Sequence, residues 1–440
     1  MNEESFIYRL KWIGIAFLVV FPLLFLGGIH VGFISVRMVV AYGLLVYTLL
    51  RGETNYLPTR GMWMYYVYLA VYIIINMISE AAFSSEFIKE LIAVHFVCCI
   101  VIYAFPRIFK SETSIQAAYL VLVFGFILDA IVTILQYQNS PIGWSIGMAI
   151  NPLQLEDLDE LQSKIKDISE TTKSVIPGIM GRVTGNGYFI ATMLPVMTYY
   201  IWDKTRFKIR TLWLLGMFGL GVMCIYYIQQ RMALVVFITY LFSIILFKER
   251  VITKKLLLWM IIVMALAYFK DSILGFDYSQ TGRLFDMEDV KRASTLSTLV
   301  DFNNNNPQFF WLGYNQIITP EDRELFLIIG HNTFTDALRL GGIFLLLTFT
   351  VLFFFLCKEL IMIFFFSRRE KDFRTMGFAI GSLCFLLYSQ THSTGVQSGS
   401  FMFWTLFMLT MQSHQVNCEA IDAEEKEEEE DRIIIPEVPN

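Results

Sequence analysis

Residues 116–136 read QAAYLVLVFGFILDAIVTILQ, and Asp129 is the only charged side chain among them. A helix that crosses a bilayer needs about 20 mostly apolar residues, and this run provides them. Backbone in lipid must satisfy its own hydrogen bonds, which excludes an irregular conformation for the run. We therefore predict a membrane-spanning α-helix here.

The same pattern recurs along the whole chain of 440 residues, of which 56% are apolar. The mean hydropathy of +0.56 exceeds what soluble domains show. The fold class is predicted to be all-α, a polytopic membrane protein of about twelve transmembrane helices whose integral membrane domain covers 1–416. The predicted spans are 12–29, 31–50, 62–79, 87–105, 116–136, 185–202, 211–228, 231–247, 256–269, 332–357, 376–391 and 396–413.

Lys and Arg set the predicted orientation, because short cytoplasmic connections are enriched in both residues. With the amino terminus inside, every second connection is basic, and the short connections on the other side hold only Lys89 and Arg231. Both termini are therefore predicted to be inside. The basic connections hold Arg51, Arg60, Arg107, Lys110, Lys204, Arg206, Lys208, Arg210, Lys248, Arg250, Lys254, Lys255, Lys358, Arg368, Arg369, Lys371 and Arg374.

Two long polar segments, 137–184 and 270–331, fall on the outer side in this topology. Loops of that length are uncommon unless they form lids or binding elements. Each contains apolar residues at helical spacing, which predicts an amphipathic helix at the membrane surface or packed on the bundle. The apolar positions are Leu155, Leu158, Leu161, Ile165 and Ile168 in the first segment and Met287, Val290, Ala293, Leu296 and Val300 in the second.

The acidic run EEKEEEED at residues 424–431 accounts for the net charge of -5. Its composition predicts that 417–440 is a solvated, disordered tail on the cytoplasmic side. The basic residues are spread over short loops, so no nucleic-acid partner is expected. The histidines and cysteines show no metal-ligand spacing, and neither a metal site nor a cofactor is predicted.

Four cationic or titratable side chains map to the predicted outer face: Arg182, Arg231, Arg283 and His331. A guanidinium stays charged and presents a planar set of donors, which suits the phosphate oxygens of a polyprenyl-diphosphate donor. The histidine titrates near neutral pH and suits proton transfer with a hydroxyl. The alternatives are arginines that reach the lipid headgroups and a histidine that caps a helix.

The charged residues inside predicted spans include Arg37, Asp129 and Arg339. Each costs about 2.5 to 3.5 kcal/mol on insertion scales, so such groups usually face the bundle interior. All three fall in the outer halves of their spans, which indicates the rim of an outward-open cavity. An ion pair between Asp129 and an arginine is the alternative reading.

Five segments resemble the bacterial O-antigen ligase and O-antigen polymerase (Wzy-type) superfamily, over about residues 180–350. The most specific is GHNTFTDALRLGGIFLLL at residues 330–347, whose HN pair followed by a GG pair is similar to the family signature. The others are GRVTGNGYF at 181–189, QQRMALVV at 229–236, YSQTGRLF at 278–285 and WLGYN at 311–315.

The resemblance implies a metal-independent glycosyltransferase of the bacterial inner membrane, acting at the periplasmic face. Its donor would be an undecaprenyl-diphosphate-linked oligosaccharide, and its acceptor a sugar of the lipid A core or a second lipid-linked repeat. By resemblance, Arg231 and Arg283 would bind the diphosphate, and His331 would activate the acceptor hydroxyl or contact the leaving group. The implied substrate-binding residues are Arg182, Asn332, Asp336 and Arg339.

Several alternatives stay open at the level of sequence. Leu345 stands where the ligase signature has a small residue, so ligase and polymerase are not distinguished. Twelve spans also suit a transporter or flippase of lipid-linked glycan, although transporters tend to place their charges at the midplane on broken helices. A non-catalytic assembly subunit is the third option.

Overall fold

A computed structural model describes residues 3–32, 34–52, 58–78, 85–138, 140–151, 176–181, 183–204, 207–228, 233, 235–240, 307–313, 333–390 and 395–434. These residues are mostly helical. The helices are α1 Glu3–Phe25, α2 Val36–Arg51, α3 Arg60–Ile78, α4 Ser85–Glu90, α5 Phe96–Ile108, α6 Glu112–Tyr137, α7 Pro141–Ile150, α8 Val183–Lys204, α9 Phe207–Ile228, α10 Pro307–Leu312, α11 Thr333–Arg369, α12 Phe373–Ser389 and α13 Phe401–Ile434.

Within the described ranges, five helical stretches are long and apolar enough to cross a membrane. They are Phe6–Gly28, Arg60–Ile78, Phe87–Ile108, Glu112–Tyr137 and Thr333–Arg369. Their large apolar side chains divide between the bundle core and the outer surface, as lipid-facing helices require. The chain is therefore a helical protein with several candidate membrane spans. Of the predicted span 231–247, residues 235–240 are helical, and the predicted span 256–269 lies outside the described residues.

The predicted span 31–50 begins later than expected, because a short antiparallel hairpin precedes the helix. Strands β1 (His30–Val31) and β2 (Ile34–Ser35) pair with each other. The Ser35 hydroxyl then accepts a hydrogen bond from the Met38 N–H at 3.2 Å, which caps the start of α2. An apolar hairpin and an apolar helix have the same hydropathy, so composition alone did not separate them.

A π-helical turn, Leu91–His95, joins α4 to α5 within the predicted span 87–105. The Tyr42 hydroxyl of α2 donates to the Ile92 carbonyl oxygen in this turn at 3.1 Å. Such turns are frequent at functional sites. At the end of this turn, His95 is buried against α3, with its Nδ1 3.2 Å from the Tyr65 hydroxyl oxygen.

Two polar networks tie helices together at their ends. Glu359 of α11 accepts the Gly61 N–H at 2.9 Å and the Thr59 hydroxyl at 2.9 Å, which caps α3 from a distant helix. Arg374 of α12 pairs with Glu112 of α6 and donates to the Ser413 hydroxyl of α13 at 2.9 Å. Each network joins elements that are far apart in sequence.

The first predicted outer segment, 137–184, contains an unforeseen helix, α7, which packs against α6. The amphipathic helices predicted around 155–168 and 287–300 lie outside the described residues. Of the predicted tail, 417–440, residues 417–434 belong to the helix α13. Glu, Lys and Ala favour helix, and extending a helix that already exists avoids the cost of nucleation.

Candidate functional site

The helix α11 is two helices, broken at Gly341 and Gly342. Gly341 has φ -156° and ψ 25°, and Gly342 has φ 63° and ψ -159°, a region that is essentially restricted to glycine. The Phe334 ring lies 5.2 Å from the Phe349 ring and 5.2 Å from the Phe353 ring. In a straight helix, residues 334 and 349 would be about 22 Å apart along the axis. Residues 333–340, hereafter the half-helix, therefore fold back along the helix that follows them.

The break is held by the end of α10. A Cβ atom at Gly342 would lie 2.6 Å from the Leu312 nitrogen and closer still to the Trp311 carbonyl oxygen. Gly313, with φ 79°, approaches equally closely, because a Cβ there would lie 2.7 Å from the Arg339 carbonyl oxygen. Gly313 of WLG and Gly342 of GG, which are 29 residues apart, thus meet backbone to backbone. No side chain larger than hydrogen fits at this crossing.

The half-helix carries an ion pair between Asp336 and Arg339. The Arg339 guanidinium donates to Asp336 Oδ1 through Nη2 at 2.7 Å and through Nε at 3.0 Å. The carboxylate is 2% exposed, whereas the arginine side chain is 28% exposed. The pair therefore presents a fixed, partly open guanidinium whose counter-charge is buried beneath it.

Asp336 is positioned from the opposite side by the short 3-10 turn Val396–Ser398. The Gln397 amide donates to Asp336 Oδ2 at 3.2 Å. The Gln397 carbonyl oxygen accepts a hydrogen bond from the buried Tyr68 hydroxyl at 2.9 Å. Both carboxylate oxygens of Asp336 are thus hydrogen-bonded, which fixes the rotamer that orients Arg339.

Two further polar groups lie near the Asp336–Arg339 pair and the start of the half-helix. Glu90 lies close enough to Asp336 and Arg339 to interact electrostatically with each. The Thr333 hydroxyl, at the start of the half-helix, donates to Gln390 Oε1 at 3.3 Å. We call Tyr68, Glu90, Thr333, Asp336, Arg339, Gln390 and Gln397 the half-helix cluster. The cluster contains two carboxyl groups and one guanidinium, along with neutral hydroxyl and amide groups.

Of the seven predicted site residues, Asp336 and Arg339 are described, and they contact each other. The other five lie outside the described residues, and their predicted roles stay predictions. These five are Arg182, Arg231, Arg283, His331 and Asn332.

Arg37 and Asp129, which also lie in predicted spans, have local partners. The Arg37 guanidinium donates from Nε to the Leu23 carbonyl oxygen at 2.7 Å and lies 4.2 Å from the centre of the Phe401 ring. Asp129 accepts the Ile179 N–H at 2.8 Å. Within the described part of the chain, Asp129 forms no ion pair with an arginine. The described residues therefore do not support the alternative in which Asp129 forms a structural ion pair.

Sequence reasoning missed Tyr68, Glu90, Gln390 and Gln397. Glu90 and the two glutamines are polar residues in or beside predicted spans, which is a signal of interior placement that could have been used. Tyr68 gives no such signal, because tyrosine is abundant throughout the chain. Only the approach of α3 to the 3-10 turn makes it part of the cluster.

A comparison of the chain with models of known protein families found no match, and a comparison with curated proteins found none either.

Proposed function

We propose that this protein is a membrane glycosyltransferase of surface-polysaccharide (O-antigen) assembly in the bacterial inner membrane. It transfers or polymerises glycan from an undecaprenyl-diphosphate-linked donor onto a sugar hydroxyl at the periplasmic face, as O-antigen polymerase or O-antigen ligase. The observation that carries the proposal is the half-helix, which follows His331 and Asn332 directly and holds the Asp336–Arg339 pair against Gln397. A fixed and partly open guanidinium suits recognition of a diphosphate.

The proposed reaction is a displacement at the anomeric carbon of the donor sugar. An acceptor hydroxyl forms the new C–O bond as the bond to the diphosphate breaks, and the diphosphate leaves with the electron pair. The hydroxyl proton passes to His331. Because the leaving group gains negative charge in the transition state, preorganised guanidinium groups of Arg231, Arg283 and Arg339 stabilise that state more than the ground state.

The buried Asp336 explains how Arg339 could act without reorganising. An arginine free to move would lose side-chain entropy on binding, at a cost of about 1.5 to 2 kcal/mol. Two hydrogen bonds to Asp336 remove most of that freedom beforehand. The guanidinium has five N–H donors, so the unused ones stay available to phosphate oxygens.

The proposal is tested with purified protein and a lipid-linked oligosaccharide donor. Arg283→Ala and His331→Ala are expected to abolish product while leaving membrane insertion unchanged. The matched control is Arg9→Ala, because Arg9 is an exposed arginine far from the half-helix in sequence. Near-normal glycan output from both variants would refute the assignment.

Polymerase and ligase differ in the acceptor, which a second experiment determines. Supplying lipid-linked repeats alone gives a ladder of products if the protein is a polymerase. A product that forms only after a lipid A core acceptor is added identifies a ligase.

A flippase or transporter of lipid-linked glycan is the second candidate, and one observation favours it. Discontinuous helices that carry charged residues are typical of transporters, and α11 is discontinuous next to Asp336 and Arg339. Movement of a labelled lipid-linked glycan across proteoliposomes, without formation of a new glycosidic bond, would support this candidate over the transferase.

A further inference from the structure

A second polar site lies apart from the half-helix cluster, where α6, α8 and the segment 176–181 meet. Asp129 of α6 and Asn186 of α8 are both 0% exposed. The two side chains adjoin at Gly178, which has φ 58°. A Cβ atom at Gly178 would lie 2.7 Å from Asn186 Nδ2 and closer still to Asp129 Oδ1. Glycine therefore lets the carboxyl and amide groups approach each other here.

The hydrogen bonds at this site fix the direction of the Asn186 amide. Its Nδ2 donates to the Thr133 hydroxyl oxygen at 3.1 Å and to the Ile176 carbonyl oxygen at 3.0 Å. Because a backbone carbonyl can only accept, rotating the amide by 180° would place two acceptors against each other. Asn186 Oδ1 must therefore point away from Ile176.

Two buried acceptor oxygens are left over. Asp129 Oδ1 accepts the Ile179 N–H at 2.8 Å, but Asp129 Oδ2 has no hydrogen-bond partner among the residues that the structure describes. Asn186 Oδ1 has none there either. An uncompensated carboxylate in an apolar interior is very costly, and a buried amide oxygen without a donor also costs free energy. One positive charge placed beside the two oxygens would remove both free-energy costs.

We propose that Asp129 and Asn186 form a binding site for one monovalent cation, with Asp129 Oδ2 and Asn186 Oδ1 as its ligands. The two ligand oxygens suit a proton or an alkali-metal ion. The charge is the same in both cases, and the two sources are distinguished by experiment. This inference does not rest on the proposed transferase activity.

The bound cation fastens the segment 176–181 to the helix bundle. Ile179 is held by Asp129, and Gly178 is held by Gln136, whose Oε1 accepts the Gly178 N–H at 3.0 Å. The segment leads directly to residue 182, one of the predicted substrate-binding arginines. Loss of the cation would leave repulsion between the acceptors and loosen this attachment.

The test measures the melting temperature of the full-length protein in detergent. One arm replaces N-methyl-D-glucamine chloride with NaCl or KCl at constant ionic strength and pH. The other arm lowers the pH in N-methyl-D-glucamine chloride alone. The wild-type melting temperature is expected to rise by several degrees in the first arm if the cation is an alkali-metal ion. It rises in the second arm if the cation is a proton, because the folded site binds the proton and the unfolded chain does not hold it as tightly.

The decisive variant is Asp129→Asn, which supplies a neutral side chain of the same shape. Its oxygen can still accept the Ile179 N–H and its amide can donate to Asn186 Oδ1, so the variant should fold and lose the cation response. Asp372→Asn is the matched control and should keep the response, because both Asp372 oxygens are already hydrogen-bonded by Thr375. Cys224 faces Asp129 from α9, so Cys224→Ser excludes its thiol as the group that titrates.

Two outcomes would overturn the proposal. One is a wild-type protein whose melting temperature changes in neither arm. The other is an Asp129→Asn variant that responds to the cation as the wild type does.

Discussion

Replacing Gly342 with alanine should destabilise the protein strongly, because two independent penalties act at this position. The backbone has φ 63° and ψ -159°, which costs a residue with a Cβ about 1 to 3 kcal/mol. The added Cβ would also meet the backbone of Trp311 and Leu312, including the Leu312 nitrogen at 2.6 Å. Backbone cannot rotate away as a side chain can, and such overpacking costs about 1 to 3 kcal/mol.

Together these penalties amount to about 2 to 6 kcal/mol. That is a large part of the free energy of unfolding of a typical protein, which is about 5 to 15 kcal/mol. Thermal stability in detergent, followed by size-exclusion chromatography after heating, measures the effect. Gly43→Ala in α2 is the matched control, because no atom lies within 4 Å of the added Cβ. Alanine there should be neutral or stabilising, since it favours helix by about 1 kcal/mol over glycine.

Gly341→Ala should have a stability between those of Gly43→Ala and Gly342→Ala. Its Cβ would meet the Leu345 side chain at 2.7 Å, and part of that side chain can move. The expected order of melting temperatures is Gly43→Ala, then Gly341→Ala, then Gly342→Ala as the lowest. A Gly342→Ala protein that melts with the wild type would refute the broken helix and the α10 contact that holds it.

Two further predictions concern polar anchors of α11. Glu359→Ala should lower the free energy of unfolding by about 1 to 3 kcal/mol, because the start of α3 loses two hydrogen bonds to a charged acceptor. Lys358→Ala, at the exposed neighbouring position, should change it by less than about 0.5 kcal/mol. Asp336→Ala should lower the free energy of unfolding by about 1 to 3 kcal/mol, because Arg339 loses the buried carboxylate that accepts its hydrogen bonds. Glu370→Ala should lower it by less than about 1 kcal/mol, because its partner Arg369 is 87% exposed.

Chemical denaturation in detergent measures both predictions. Equal losses for Glu359→Ala and Lys358→Ala would contradict the capping of α3 by α11. An Asp336→Ala protein as stable as Glu370→Ala would show that the half-helix pair is exposed rather than packed against Gln397.

Long apolar runs made most described helices predictable from the sequence. Residues 116–136, for example, lie within α6, which runs from Glu112 to Tyr137. The break in α11 was not predictable in this way, because the residues on both sides of Gly341 and Gly342 are suitable for a helix. Hydropathy measures the environment of a residue and not the direction of the backbone. The paired glycines were recognised as a family-like motif, but their backbone conformation comes from the structure.

The candidate site was predictable in part. Asp336 and Arg339 are three residues apart, and that spacing alone allows a pair on one face of a helix. The partner Gln397 is 61 residues from Asp336, and Tyr68 is 329 residues from Gln397. Contacts of this separation depend on which helices are neighbours, which no local pattern in the sequence specifies. The acidic tail is a different case, because its composition predicts disorder, whereas the helix α13 continues through it to Ile434.

The most direct test of the proposed diphosphate site compares two arginines at opposite ends of α11. Arg339→Ala and Arg369→Ala are each assayed for product formed from an undecaprenyl-diphosphate-linked donor, in protein that is inserted and folded. Arg339 is 28% exposed and paired with a buried carboxylate, whereas Arg369 is 87% exposed. We expect at least a tenfold loss of product with Arg339→Ala, the equivalent of about 1.4 kcal/mol of transition-state stabilisation, and no loss with Arg369→Ala. Equal activity of the two variants would contradict the account.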